Sequence, residues 1–149
     1  MTDLSPEWLC RRLVEDSRDA VIFADRTGII RLWNAGAAEM FGYGPAAVLG
    51  QPLDLIIPEN LRVRHNEGYQ RVMAAGVSKY AKDLLAVPGL TKDGRRLSLE
   101  FTITLVRDEP GQILGAAAII RDVTARWHRD QELKKRLAAL EAQVGALEK

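Results

Sequence analysis

Between Leu97 and Leu105 every second residue is apolar, and Ser98, Glu100, Thr102 and Thr104 fill the alternate places. Successive side chains of a β-strand point to opposite faces, so this stretch is a strand with one buried and one wet face. One-sided burial is the habit of antiparallel sheets, whose second face can stand in water. Other strands must flank it, and a layer of helix must cover its apolar side.

The rest of the chain supplies both. Ala20 to Ala24 and Ile29 to Trp33 are short apolar runs joined by Asp25-Arg26-Thr27-Gly28, whose Asp and Gly carry turn chemistry, and together they predict a β-hairpin. Asp83 to Leu90 reads as a strand that Pro88 restricts to an edge or a bulge. Ile113 to Ile120 is apolar on both alternating sets, which predicts a strand buried on both faces and something to cover its outer side. Ser5-Pro6-Glu7 is a helix start, and Trp8, Leu9, Leu13 and Val14 follow at helical spacing as far as about Asp16. Asn34 can cap a helix over Ala35 to Phe41, Gly44-Pro45 opens another short one, and Gly50-Gln51-Pro52 interrupts again. Pro58-Glu59 opens the longest helix of the domain, closed near Ala75-Gly76.

Beyond Thr124 the period becomes helical. Leu133, Leu137, Leu140, Val144 and Leu147 are spaced four, three, four and three apart, a heptad seam. With Leu137 and Val144 at a, Leu133, Leu140 and Leu147 fall at d, and Arg136 at g faces Glu141 at e of a parallel partner. Asp130 at an a position loosens the seam beside the domain, and so short a coiled coil needs further dimer surface. Trp8, Leu9 and Leu13 of the first helix and the outer face of the last strand offer it.

Composition narrows the function. A formal net charge of +1 lacks the basic excess of a nucleic-acid binder. One cysteine, Cys10, permits no intrachain disulfide, and the acidic N-terminus and the absence of a long apolar run support neither secretion nor membrane spanning. A cytoplasmic protein is expected. No metal-ligand spacing, nucleophile–base signature or phosphate-binding glycine loop points to an enzyme, and His128 lies on the tail as a solvated helix residue.

The order of elements, with Trp33-Asn34, Ala38-Glu39, Phe41-Gly42-Tyr43, Val48-Leu49-Gly50, Lys92-Asp93-Gly94 and Ile120-Arg121-Asp122-Val123-Thr124 in sequence, resembles the PAS family over about residues 15 to 124. That resemblance implies an α+β fold, a five-stranded antiparallel sheet with short helices on one face. It implies a division into an N-terminal dimerisation or capping helix (1–16), a sensor domain (17–122) and a coiled-coil signalling helix (123–149). It also implies a sensor or interaction module whose ligand pocket lies between the sheet and the helices, with Asp122 and Thr124 at the exit to the signalling helix.

Around His65, the stretch from Leu61 to Gly76 is similar to the helix that carries the proximal haem histidine in rhizobial oxygen-sensing kinases. On that resemblance His65 is the candidate axial ligand of a b-type haem. Leu61, Val72, Phe101, Ile103 and Ile120 supply apolar walls, Gly68 and Ala118 leave room for a flat macrocycle, and Arg62, Arg64 or Arg71 serve its propionates. The arginine that the oxygen sensors carry on the next strand is out of register here, where Leu84 and Leu85 stand, and Met73 reads as core packing. The cysteine of the related flavin photoreceptors is absent from Gly42 to Leu53, which argues against a covalent flavin adduct but leaves noncovalent flavin open. Two functions follow: a homodimeric haem-binding sensor that signals through its coiled coil to a kinase or regulator, or a cofactor-free module for dimerisation and protein interaction.

Overall fold

The computed structural model describes residues 2, 4–79 and 82–148. In chain order the elements are α1 (Pro6–Asp16), β1 (Ala20–Asp25), β2 (Ile30–Trp33), α2 (Ala35–Phe41), α3 (Pro45–Val48), two 3₁₀ turns (Leu53–Ile56 and Glu59–Leu61), α4 (Arg62–Ala75), β3 (Leu85–Leu90), β4 (Arg96–Arg107), β5 (Ile113–Asp122) and α5 (Thr124–Leu147). The five strands form one antiparallel sheet in the order β2-β1-β5-β4-β3. Pro88 therefore sits on an edge strand, where its missing N–H is tolerated.

Most of the elements form where their local signals place them. Ser5 Oγ accepts from the Trp8 N–H at the start of α1, and α4 ends at Gly76 in the left-handed conformation, φ 75°. The central helix differs at its start. Its first turn, Glu59–Leu61, is wound as 3₁₀, and the α-helix proper begins at Arg62. Ile29, expected in β2, instead bridges Pro52.

The core lies on the inner face of the sheet. Ala20, Ile22, Ile30, Trp33, Leu97, Leu99 and Ile120 pack there against Ala37, Phe41, Val48 and Ile56 of the short helices. The register pairs Phe101 with Ile120 and Ile103 with Ala118, so the alternating apolar residues of β4 share this face.

Asn34 joins these layers. Its Oδ1 accepts from the N–H groups of Val21 and Ala37 (2.9 Å each), and its Nδ2 donates to the carbonyls of Val14 (2.7 Å) and Asp19 (3.1 Å). One residue caps α2, pins β1 and holds the end of α1. Gly36 serves the same crossing, since a Cβ there would overlap the carbonyls of Ser17, Arg18 and Asp19.

Burial of β5 on both faces is not what the structure shows. Ile119 is 53% exposed and Leu114 46% exposed, and among the described residues nothing closes over them. The small-residue run of β5 answers a different demand, the close approach of strands. A Cβ on Gly115 would overlap the Ala24 carbonyl and the Phe23 ring on β1. Apolarity on both alternating sets cannot distinguish double burial from a tight strand crossing with a dry patch left on its outer face.

Asn34→Ala is expected to lower the unfolding free energy by about 3 kcal/mol, because it strips several buried backbone groups of their partner at once. Chemical denaturation reads this directly; a loss no greater than that of an ordinary helix cap, about 1 kcal/mol, would show that the other contacts contribute nothing.

Candidate functional site

His65 lies in the first half of α4, half-buried, with its Nδ1 buried and without a hydrogen-bond partner among the described residues. Burial holds its pKa below the ordinary imidazole value, while the Asn66 side chain and the Asp54 charge pull in the opposite direction. The ring therefore favours its neutral form, the form that ligates metals. It opens on a cleft of about 240 Å³ whose lining includes Thr27, Pro52, Asp54, Asn66, Tyr69 and Gln70.

One turn on, the Tyr69 ring lies 6.1 Å from the His65 ring, and its hydroxyl donates to the carbonyls of Ala24 (3.0 Å) and Asp25 (2.7 Å) at the end of β1. Burial, reinforced by the Asp25 charge, pushes this hydroxyl up to about 12 against a backbone hydrogen bond at Ala116. It remains a donor throughout the working pH range. Two arginines hold the other end of the helix. Arg26 donates to the carbonyls of Ile113 (2.9 Å) and Met73 (3.5 Å), and Arg107 donates to those of Gly111 (3.1 Å) and Gly76. Cations at these last carbonyls also oppose the negative end of the helix dipole.

The residues expected to wall a haem divide into two groups. Phe101, Ile103 and Ala118 lie half-buried on the inner sheet face, and Ile120 is in the core. None of these, nor Leu61 or Val72, lines the cleft beside His65. Of all α4 only Met73 is buried, the core role expected for it. The helix thus stands off from the apolar middle of the sheet instead of sealing it. Gly68 contributes to the opening, since a Cβ there would meet nothing within 4 Å. Arg62 donates its Nε to the Ile57 carbonyl at 3.0 Å, which commits it to the turn before α4, whereas Arg64 and Arg71 are exposed.

At the exit, Asp122 Oδ1 accepts from the Thr124 N–H at 2.9 Å and from its hydroxyl. Thr124 Oγ1 accepts from the Ser98 N–H at 3.0 Å, and the Val123 N–H donates to the Ser98 carbonyl at 2.9 Å. The start of α5 is thereby fastened to β4, with an Arg126–Glu100 ion pair beside it. Thereafter α5 is free of the domain: Leu133, Leu137, Leu140, Val144 and Leu147 are all more than half exposed. On α1, Leu13 is 72% and Trp8 40% exposed. Tyr69, Asp54 and Thr27 were not singled out from the sequence. Tyr69 could have been, because it follows His65 by four and so shares its helix face.

Among the described residues, no group of three or more His, Cys, Asp or Glu is placed to hold a metal ion, and no helix is long and apolar enough to cross a membrane.

Asp25, whose carbonyl receives Tyr69, carries a pH-dependent part of the stability. Partial burial pushes its carboxyl up, but bonds from the Thr27 hydroxyl, from Arg31 and from the N–H groups of Ile29 and Thr27 outweigh this and hold it at about 2. A pKa depressed in the folded state gives stability that is complete above the unfolded value, about 4, and is lost as pH falls toward the folded one. Asp25→Asn is accordingly expected to be less stable than wild type at pH 6, with the difference narrowing between pH 4 and about 2. Denaturation midpoints across that range would contradict this if the two proteins ran parallel.

Comparison with known proteins agrees with the fold. The PAS fold family model matches residues 9–123. An uncharacterised protein of Azorhizobium caulinodans is 32% identical over 136 residues, covering 91% of this chain and 18% of its own length. The sensor protein FixL of Bradyrhizobium diazoefficiens is 25% identical over 90% of this chain and 25% of its own length, and the signal transduction histidine-protein kinase AtoS of Escherichia coli 27% identical over 87% and 19%. The chain thus spans a quarter or less of these relatives. Among solved structures, a PAS domain from Colwellia psychrerythraea superposes with a TM-score of 0.71 at 23% identity, covering 81% of this chain and 99% of that one. An RNA-binding light-oxygen-voltage receptor gives 0.72 at 22% identity, covering 93% and 40%.

Proposed function

This chain belongs to the PAS family, and on that premise we propose that it is a signal-sensing module that binds a b-type haem through His65 and reports on it through α5. The observation that carries this reading is the buried, unpartnered nitrogen of His65 on the helix that faces the sheet. A buried polar atom without a partner costs about 1–3 kcal/mol, a cost removed only by a group that binds at that same nitrogen, while the other ring nitrogen is the one free to take an iron. Phe101, Ile103 and Ala118 offer a half-buried apolar wall on the inner sheet face, but they do not line the cleft beside His65, so a macrocycle on that residue would reach them only if α4 shifted. Arg64 and Arg71, rather than Arg62, are the cations left for its propionates. When bound, haem would supply an iron centre able to take up a diatomic gas or change oxidation state.

The module would work as a homodimer in the cytoplasm. Its N-terminal segment (1–16), sensor domain (17–122) and signalling helix (123–149) divide the labour. The exposed stripe from Leu133 to Leu147, the outer sheet face at Ile119 and the exposed Trp8 and Leu13 of α1 are the surfaces that a second copy would cover. A kinase or regulator that receives the motion of α5 is the proposed output. Occupancy can bias α5 only if the ligand binds its two settings with different affinity. In the cofactor-free alternative, the same surfaces serve dimerisation alone.

Titration of the purified chain with hemin separates the two readings. Wild type is expected to give a sharp Soret band that differs from free hemin, and His65→Ala to lose axial coordination. An unchanged spectrum for the variant would rule out His65 as the ligand, and a wild-type spectrum equal to that of free hemin would leave the dimerisation module. For the dimer, truncation before Leu133 is expected to weaken self-association in sedimentation by about tenfold or more. An undiminished association constant would exclude the heptad seam.

A further inference from the structure

We infer that Tyr69 is a positioning residue that ties the His65 helix to β1 and, through β1, to the strand that ends at α5. The inference deepens the ligand reading of His65 and rests on it for the identity of the input, although the mechanical link is present in the chain by itself.

Three observations converge on this link. Tyr69 follows His65 by one helical turn on the same face, with the rings 6.1 Å apart, so a displacement of the His65 segment carries Tyr69 with it. Its hydroxyl shares its one proton between two successive carbonyls, Ala24 and Asp25, with the Ala116 backbone of β5 beside it, and Tyr69 is the only side chain of α4 hydrogen-bonded to the sheet among the described residues. Those carbonyls belong to the residues paired with Ala116 and Gly115 of β5, at the one place where β1 and β5 approach too closely to admit a Cβ. A shift of β1 there cannot be absorbed by side chains. It must be passed to β5, whose far end at Asp122 leads through Val123 and Thr124 into α5. The arginine contacts at Met73 and Gly76 lie further along α4 and fix its C-terminal end, leaving Tyr69 as the link nearest His65.

Amide hydrogen exchange on wild type, His65→Ala, Tyr69→Phe and the double variant tests this without requiring any ligand. Tyr69→Phe keeps the ring and removes only the hydroxyl, and circular dichroism checks that each variant is folded. His65→Ala is expected to change exchange at residues 116–124 by about fivefold, the scale of one net hydrogen bond. The same substitution in the Tyr69→Phe background should leave those amides within about twofold, because the link is already cut. Additive effects of the two substitutions, or no response at 116–124 to His65→Ala, would overturn the inference. Hemin added to wild type and to Tyr69→Phe gives the independent arm. A Soret band in both, with an exchange response at 116–124 only in wild type, supports the link. A response of equal size in both sinks it. Absence of the band in wild type defeats the haem reading alone and leaves the ligand-free cycle to decide the link.

Discussion

The Asn34 side chain, 3% exposed, is the interaction on which the arrangement of layers depends. An amide can donate and accept at once, and this one uses both capacities to satisfy backbone groups that belong to three different elements. Buried backbone groups must find partners, and the end of α1, the start of β1 and the first turn of α2 each present some that the sheet and helix ladders cannot reach. A single side chain at their crossing resolves all three, which sets how α1 leaves the domain and where the inner layer begins. Trp33 beside it donates from its ring nitrogen to the Tyr43 carbonyl at 2.9 Å, which extends the same anchoring to the end of α2.

From that fixed corner the structure becomes progressively less tied. The short helices pack closely on β1 and β2, while α4 contributes one buried side chain and is held by a few hydrogen bonds to backbone carbonyls near the end of β1 and the start of β5. A helix held by polar contacts at defined points, with little side-chain packing, can change position at small cost because little packing is lost. That is the physical condition for a ligand to matter. The same economy appears at the other end, where a short Asp-Val-Thr segment holds the root of α5 on Ser98 while the remainder of the helix stands exposed.

Part of the exposed apolar surface lies on α1, the outer sheet face and α5. Ile119, Trp8, Leu13 and the α5 stripe all lie outside the inner core, on elements that the chain does not cover by itself. Exposed ion pairs such as Arg121–Asp19 and Arg126–Glu100 add orientation near the strand ends but little stability, each on the order of 1 kcal/mol or less.

Much of this was legible beforehand. Local signals acted alone at the caps Ser5 and Asn34, at the glycine stop of α4 and in the alternation of β4, and each of those elements forms where its residues call for it. Family-like words extended that to the order and sharing of strands. The reading of β5 as doubly buried fails for a physical reason: its alanines and Gly115 are apolar, but the smallness of Gly115 serves the contact with β1. His65 was visible as a histidine on an inward stripe, but its unpartnered nitrogen, the commitment of Arg62 to a carbonyl and the grip of Tyr69 on β1 were not. Periodicity and capping are properties of neighbours in sequence, and the sequence by itself determined those. Which donor meets which distant carbonyl, and which apolar face is left open, depends on segments dozens of residues apart, and only the tertiary structure decided it.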